Sequence, residues 1–567
     1  MAEESGRRRA SSEVPAGTTA VGSGVSSNTS FSSDEGGKPT ATGRWGIGIS
    51  PWLWATRIRI LVVIDGRITK GFGVEEFGLG PVLATLVDPW FAWWVRFAWT
   101  VRKRDPPESF RFTQAGLNLN DFDQVWFFGD WPGRDANPLN VGDEIIQLEK
   151  YFPLDNDELR ILASWMERGG GVFATGDHAM LGASMCSRIP RVRKMRKWTR
   201  GQGVPSFDGP DRHETLVHDP QSTENDWEGD RWAQQVFPVY GHDPEAVGPS
   251  FEHNFPHPLL CGRTGVIERF PDHMHEGCVI EDEDVRLMDP LGIPGYDKEE
   301  FPVDSSGSRP RPHVVAHGFT TNPEAPPRRF GLIGVYDGDP VGIGRVVVDS
   351  TWHHWFSMNL AGFPTNAPLI YARMQDYYRN VGLWLSTPGQ RASMLFAATW
   401  GALVGKQPEA FDKVMGIWGL GRAVLDVIGR TAPQCVVSQM VTGLLRTGGS
   451  SGSPGMSPSE SGHVTRLRPP ISMLNQAVVG GIALELVDLA HHHINERARG
   501  QPTALDADAI RRKGFDGVMA GVRTLTATLR ESSGQLTTLC DHLEHTMERR
   551  ELGKLPVSCE PLDDLPA

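Results

Sequence analysis

An α/β architecture, a doubly wound and mostly parallel sheet, is what this sequence points to, on three grounds. Short runs nearly continuous in Val, Ile, Leu and Phe alternate with segments of helical period between residues 45 and 385. That rhythm is the pattern of a parallel sheet covered on both faces. The runs end in Asp, Gly, Arg or His, the residues expected where strands deliver side chains to a binding edge. Downstream of Gly362 the strand pattern stops and only helical periodicity remains, so a mostly α-helical C-terminal region should follow.

Ile58–Ile64 (IRILVVI) is β-branched and apolar and ends at Asp65-Gly66-Arg67, which reads as a buried strand and its exit loop. Residues 74–88 read as a helix despite Gly78, Gly80 and Pro81. Trp93–Arg102 alternates as a second strand, and Gln124–Phe128 (QVWFF) is a third, leading to Gly129-Asp130. Leu154–Arg168 sets Leu159, Leu162 and Trp165/Met166 on one helical face, with Asp155/Asn156 as start signal and Gly169-Gly170-Gly171 as stop. Val172–Thr175 is the fourth strand, with Gly176-Asp177-His178 on its turn. His313–His317, Arg329–Tyr336 and Gly344–Asp349 complete the strands, the last running into Ser350-Thr351-Trp352-His353-His354-Trp355.

Residues 185–312, rich in Pro, Gly, His and Asp, interrupt this pattern as a long loop-rich insertion or lid. Helical segments are expected at 366–385, 389–404, 408–429, 433–446, 471–498 and 505–549. The expected organisation is therefore a disordered leader (1–44), an α/β domain (45–385, insertion about 185–312) and a helical C-terminal region (386–567) with a linker at 447–461.

Lys and Arg total 56 against 69 Asp and Glu, a net charge of −13 over 567 residues. This balance argues against a nucleic-acid coat or a polybasic membrane protein. The 64 glycines and 42 prolines imply many loops around a globular framework. Six scattered cysteines form no CxxC pair, so neither a disulfide scaffold nor a zinc ribbon is expected. Residues 1–38 lack the apolar core of a secretory signal, and the apolar stretch Pro89–Val101 is too short to span a bilayer. A cytoplasmic setting without membrane attachment is the resulting expectation.

Reading only the strand ends gives Asp65, Arg67, Asp130, Gly176, Asp349 and Ser350 as candidates for substrate binding, and Asp177, His178, His353 and His354 as candidates for catalysis. Twelve of 18 histidines lie between 178 and 354, several beside acids. Imidazole with carboxylate is the donor set of zinc-type hydrolytic sites and of general acid–base pairs. His178 and His353, joined by His213, His273 or His275 from the insertion, are the candidate ligands for a divalent metal such as zinc. None of these has HExxH spacing, and solvated loop histidines are the competing interpretation.

The helix–GGG–strand–GDH step (Leu159–His178) and the late GRVVVDSTWHHW strand (Gly344–Trp355) resemble the class I glutamine amidotransferase-like superfamily, most nearly its ThuA-like, trehalose-utilisation branch. The resemblance covers roughly residues 57–385 and implies a flavodoxin-like sheet with a small-molecule or carbohydrate-related pocket. It also implies a histidine near the elbow, matched by His178, and another late in the domain, matched by His353 or His354. The elbow itself carries neither Cys nor Ser, and Cys186 lies too far along the chain to replace the missing thiol. Two function classes follow. One is a hydrolase-like enzyme with a His/Asp site, metal-assisted or not, acting on a small molecule that is anionic or carbohydrate-like. The other is a non-catalytic ligand-binding or scaffold protein that has lost its nucleophile.

Arg188–Arg200 (RIPRVRKMRKWTR) concentrates seven basic residues. It is expected either to steer an anionic substrate or to form a solvated basic face paired with acids of the insertion. Nucleic-acid association through it is the weakest of the readings. The cluster Trp90, Trp93, Trp94 and Trp99 reads as core. Leu525, Leu529, Leu536, Leu539 and Leu543 give the last helix an amphipathic face suited to a bundle or a protein partner.

Overall fold

The eight-stranded sheet owes its position to side chains that alternate between two buried faces. In β1 (Thr56–Ile64), Ile58, Ile60, Val62 and Ile64 enter one apolar cluster while Leu61 and Val63 enter the other. The same split separates Trp126 and Phe128 from Val125 and Phe127 in β3 (Gln124–Gly129), and Phe173 from Val172 and Ala174 in β4 (Gly171–Gly176). A strand buried on both sides needs layers on both sides. The structure is a computed structural model; it describes residues 55–131 (except 75 and 89–91), 140–141, 144–145, 153–177, 181–198, 213–214, 233–240, 256–320 (except 272–274), 326–405, 411–446, 471–499 and 506–549.

The remaining strands of the sheet are β2 (Val95–Lys103), β5 (Phe237–Pro238), β6 (His313–Phe319), β7 (Arg329–Tyr336) and β8 (Val346–Asp349), in the order β2-β1-β3-β4-β8-β7-β6-β5. From β2 to β8 all pairings are parallel, in register Ile60↔Trp99, Ile60↔Gln124, Val125↔Val172 and Val346↔Val172. From β8 to β5 they are antiparallel. The sheet is thus mixed and mostly parallel, as expected, with His313–His317 and Arg329–Tyr336 in its antiparallel part. Residues 320–328 and 337–345 connect these strands. Such stretches are shorter than the ~12 or more residues a parallel crossover requires, so the chain turns back as hairpins.

Helix α1 occupies only Gly80–Val87, because the glycine-rich stretch before it forms a loop; α2 occupies Asn156–Met166. The start of α2 is a full capping box: Asp155 accepts from the Asp157 and Glu158 amides at 2.9 and 2.8 Å, and Glu158 accepts from the Asp155 amide at 3.1 Å. Glu158 also pairs with Arg104 at 2.8 Å, both side chains without exposed surface, which locks the helix to the end of β2. Two one-turn helices, α3 (Ala183–Cys186) and α4 (Val192–Met195), follow the fourth strand.

The helical region comprises α5 (Pro368–Trp384), α6 (Pro388–Gly405), α7 (Gly416–Ile428), α8 (Gln434–Arg446), α9 (Ile471–Ala498) and α10 (Ala507–Arg549). One apolar cluster runs without a break from the sheet face into these helices. The Gly480-Gly481 pair inside α9 is required by close packing on both sides. A Cβ on Gly480 would lie 1.9 Å from the Ile417 carbonyl oxygen of α7, and one on Gly481 would lie 2.0 Å from the Gly517 carbonyl oxygen of α10. The stretch Ile471–Glu496 is long and apolar enough to cross a membrane by length and composition, and here 67% of its most apolar window is buried in the protein. A disulfide joins Cys261 in the insertion to Cys435 in α8, a staple that six scattered cysteines did not announce. The expected leader (1–44) and linker (447–461) lie outside the described residues.

The basic segment is neither a solvated face nor a steering patch. Arg191, Arg193, Lys194, Arg196 and Lys197 are all buried. Arg193 pairs with Glu300 at 2.7 Å, Lys194 with Asp289 at 2.5 Å, and Arg196 donates to the Gly176 carbonyl. Cations of this kind are buried only when paired, and here the acids of the insertion supply the partners.

Candidate functional site at the carboxyl edge of the sheet

Each parallel strand delivers an acid or its neighbour to one edge: Asp65 after β1, Asp105 shortly after β2, Asp130 after β3, Asp177 after β4 and Asp349 at the end of β8. The chain's winding direction reverses between β1 and β3, and the turns after these strands meet at the carboxyl edge. There, Asp65 is 2% exposed and accepts from the Asp130 and Trp131 amides at 2.6 and 3.3 Å. Burial, reinforced by the charges of Asp105 and Asp130, pushes its carboxyl up to about 8 against the pull of those two hydrogen bonds. Asp130 is claimed by Arg67, whose amide and Nη2 each donate at 2.7 Å. Gly66, at φ +61°, makes this turn: a Cβ there would fall 2.2 Å from Asp130 Oδ2.

Rings connect this corner to the histidine turn. The Arg67 guanidinium lies 4.6 Å over Phe77, Phe77 packs at 4.9 Å on Trp352, and Trp352 meets His353 edge-on at 5.3 Å. His353 Nε2 stands 3.5 Å from Asp177 Oδ2, and its Nδ1 is 3.4 Å from Asn359 Oδ1. The imidazole and carboxylate, remote in sequence, are 3% and 4% exposed. They meet because β4 and β8 are adjacent parallel strands whose ends align at Thr175 and Asp349. Thr175 Oγ1 donates to the Thr351 carbonyl at 3.0 Å, tying the two turns together. Gly176 leaves room for this junction, since a Cβ on it would lie 2.3 Å from the Leu181 carbonyl oxygen.

His354 sits differently. Its Nε2 is 3.3 Å from Asp349 Oδ2 and its Nδ1 is 3.0 Å from Thr351 Oγ1. Phe270 stacks on its ring at 4.6 Å. Asp349 accepts from the Thr351 amide and hydroxyl at 2.9 and 2.7 Å, from Tyr377 at 2.8 Å and from Trp355 Nε1 at 3.3 Å. Burial, reinforced by the Asp349 charge and the hydrogen bond to it, holds the Tyr377 hydroxyl well above its usual range. Ser350 turns inward too, donating to the Leu332 carbonyl at 2.9 Å. Asp349, Ser350 and His354 are therefore bound up within the protein.

Among the insertion histidines, His213 is buried and stacked on Phe330 at 4.0 Å, and burial beside Lys197 and Arg328 drops it to about 4. Its two-residue strand pairs antiparallel with His275–Glu276. The Gly277 amide then donates to the Ser350 carbonyl at 3.1 Å, so the insertion crosses the edge beside the histidine turn. His178 and His273 lie outside the described residues, as does the side chain of His275.

Asp177 Oδ2 and His353 Nε2 have about the ~3.3 Å separation of two ligands on one tetrahedral zinc. Among the described residues no group of three or more His, Cys, Asp or Glu is placed to hold a metal. The pair fits half of such a site, and what the described residues bring together is one imidazole and one carboxylate at 3.5 Å. Cys186 is no nucleophile: it is fully buried, its Sγ lies 4.0 Å from the Thr175 carbonyl, and burial raises its thiol.

Sequence reasoning missed Asn359, which orients His353, and Arg196, which braces the Gly176 turn. Arg196 lies 4.3 Å over Trp198 and is lowered to about 10 by burial. Asn359 stands six residues past His353 with no motif around it, and Arg196 was hidden among basic neighbours that looked solvated. Comparison with protein-family models, with curated proteins and with solved structures gives no match for the chain.

Proposed function

We propose that the chain is a hydrolase-like enzyme for a small molecule, anionic or carbohydrate-like, with Asp177 and His353 as its acid–base pair. The observation that carries this reading is the approach of His353 Nε2 to Asp177 Oδ2 at 3.5 Å on the ligand-binding edge. One oxygen atom, of water or of a substrate hydroxyl, can stand at ~2.8 Å from both atoms, within reach for proton transfer. Asn359 engages the other ring nitrogen, so Nε2 and Oδ2 are the atoms between which that oxygen's proton passes. Asp65, mostly protonated at neutral pH because its carboxyl sits at about 8, adds a neutral carboxyl donor at the nearby switch point.

The strand order supports a flavodoxin-like reading. Taken in chain order, the five parallel strands lie 2-1-3-4-5, the order of that sheet type. The resemblance to the amidotransferase-like superfamily, ThuA-like branch, agrees with that order and with a histidine late in the domain. A zinc ion at this pair would have Asp177 and His353 as ligands and would activate a bound water. The competing reading, a ligand-binding or scaffold protein, draws on the burial of the pair, 3% and 4% exposed.

The test uses the purified full chain against a panel of ester, amide and glycoside substrates, with metal content read by elemental mass spectrometry. Asp177→Asn and His353→Ala should each lower any turnover ~10²–10⁴-fold while the thermal transition holds. Turnover unchanged in both variants overturns the assignment, and a chain inert to the whole panel favours the binding reading.

A further inference from the structure

Helix α10 is longer than the helix it packs against. Its 43 residues span about 64 Å against about 42 Å for the 28 residues of its neighbour α9. Burial follows the same difference. Val518, Val522 and Leu525 are buried and Leu529 is partly buried, whereas Arg530, Glu531, Ser532, Gly534, Gln535, Thr537 and Thr538 are exposed. The helix nevertheless continues to Arg549.

The sequence of the extension keeps the heptad register of the buried part. With Phe515 and Val522 at position a and Val518 and Leu525 at d, the series continues with Leu529, Leu536 and Leu543 at a and Ser532, Leu539 and Thr546 at d. The charges fall elsewhere: Arg530 and Glu544 at b, Glu531 at c, Asp541 and Glu548 at f. Positions e and g from 533 to 547 hold Ser, Gln, Cys, His and Met, with neither acid nor Lys/Arg. Positions b, c and f are those that a two-stranded coiled coil leaves in water, whereas e and g face the partner. A segment of about 20 residues with this pattern is marginal as a lone helix in water.

We infer that residues 529–549 form a coiled coil with the same segment of a second copy of this chain. Like meets like in such a pair without charge repulsion, because the flanking e and g positions carry no acids and their sole Arg/Lys is the terminal Arg549. A two-fold axis is the closed arrangement for a self-complementary helix. A different acidic or basic partner would call for complementary charges at e and g, which the segment lacks.

Sedimentation velocity of the full chain between ~1 and ~100 µM tests this, in a range where a three-heptad contact should associate. The expected mass climbs from 62.4 kDa toward twice that value. The double variant Leu536→Glu/Leu543→Glu should stay monomeric at the highest concentration, with a thermal transition unchanged at ~1 µM, where the wild type is monomeric too. Leu536→Met/Leu543→Met, which keeps both positions apolar, should still associate. A wild-type chain monomeric throughout, or a dimer surviving the double Glu variant, overturns the proposal. So does a lowered thermal transition in the Glu variant at ~1 µM, which would show that the segment packs against its own chain.

Discussion

His353 and His354 are consecutive residues, each beside an aspartate, and they illustrate opposite uses of the same two groups. The Asp349–His354 pair is closed: Thr351, Trp355 and Tyr377 all donate to its carboxylate, and Phe270 caps its ring. A carboxylate with that many internal donors holds a turn together. The Asp177–His353 pair bridges two strand ends. Its two atoms stand 3.5 Å apart, one residue from a different strand end, with Asn359 fixing the far side of the ring. The lesson is that the identity of a residue pair says less than which elements bring its two members together.

Substitution of the two aspartates should separate these roles, with the largest effects of all. Asp177→Asn is expected to cost ~10²–10⁴ in turnover and little stability, read by steady-state assay beside a thermal melt. Asp349→Ala should do the reverse. It strands the buried donors of Tyr377, Trp355 and Thr351, and about 3–5 kcal/mol of stability should be lost, seen in denaturant unfolding. If Asp349→Ala melts like the wild type, the closed pair is not structural and the contrast fails.

How much of this was legible in the sequence follows from range. Asp65, Asp130 and Asp177 were found because a strand run fixes where the next side chain emerges. The pairing of Asp177 with His353 was legible as two strand ends on one edge. The neighbourhood of Asp349 was not, because Tyr377 and Phe270 reach it from a helix and from the insertion. Short connections at 320–328 and 337–345 were visible in the sequence, yet a run such as RFGLIGVY carries no mark of strand direction. The basic segment was legible in part. Pairing with acids of the insertion was one of its readings, and Glu300 and Asp289, about 100 residues on, supply it, whereas the burial of the paired cations was not legible.

That segment supplies a middle-sized test. Glu300 has no exposed side-chain surface and accepts from Arg193 at 2.7 Å and from the Arg191 amide. Glu300→Gln keeps the shape and removes the charge, leaving Arg193 buried beside a neutral amide. About 2–3 kcal/mol should be lost in denaturant unfolding. A loss equal to that of a surface substitution would mean that the segment is solvated after all, and would return it to the role of a steering patch.

The smallest expected effect, counted per pH unit, concerns Asp65, a buried carboxyl at the carboxyl edge of the sheet. Its folded value of about 8 lies above the ordinary 3.8. Between those values the folded chain holds a proton that the unfolded chain releases. Stability contributed by this group is therefore complete below the lower value, falls as pH rises through the window, and levels off above the upper one. The slope from one such group is at most about 1.4 kcal/mol per pH unit. Asp65→Asn keeps a neutral side chain at every pH, so its advantage over the wild type should grow from pH 4 to pH 8 and then stop growing. Unfolding of the two proteins across that range gives the difference directly. A gap that stays constant with pH would mean that Asp65 is ionised in the folded chain. The edge would then offer a second carboxylate in place of a neutral donor, and the division of labour between Asp65 and the Asp177–His353 pair would have to be redrawn.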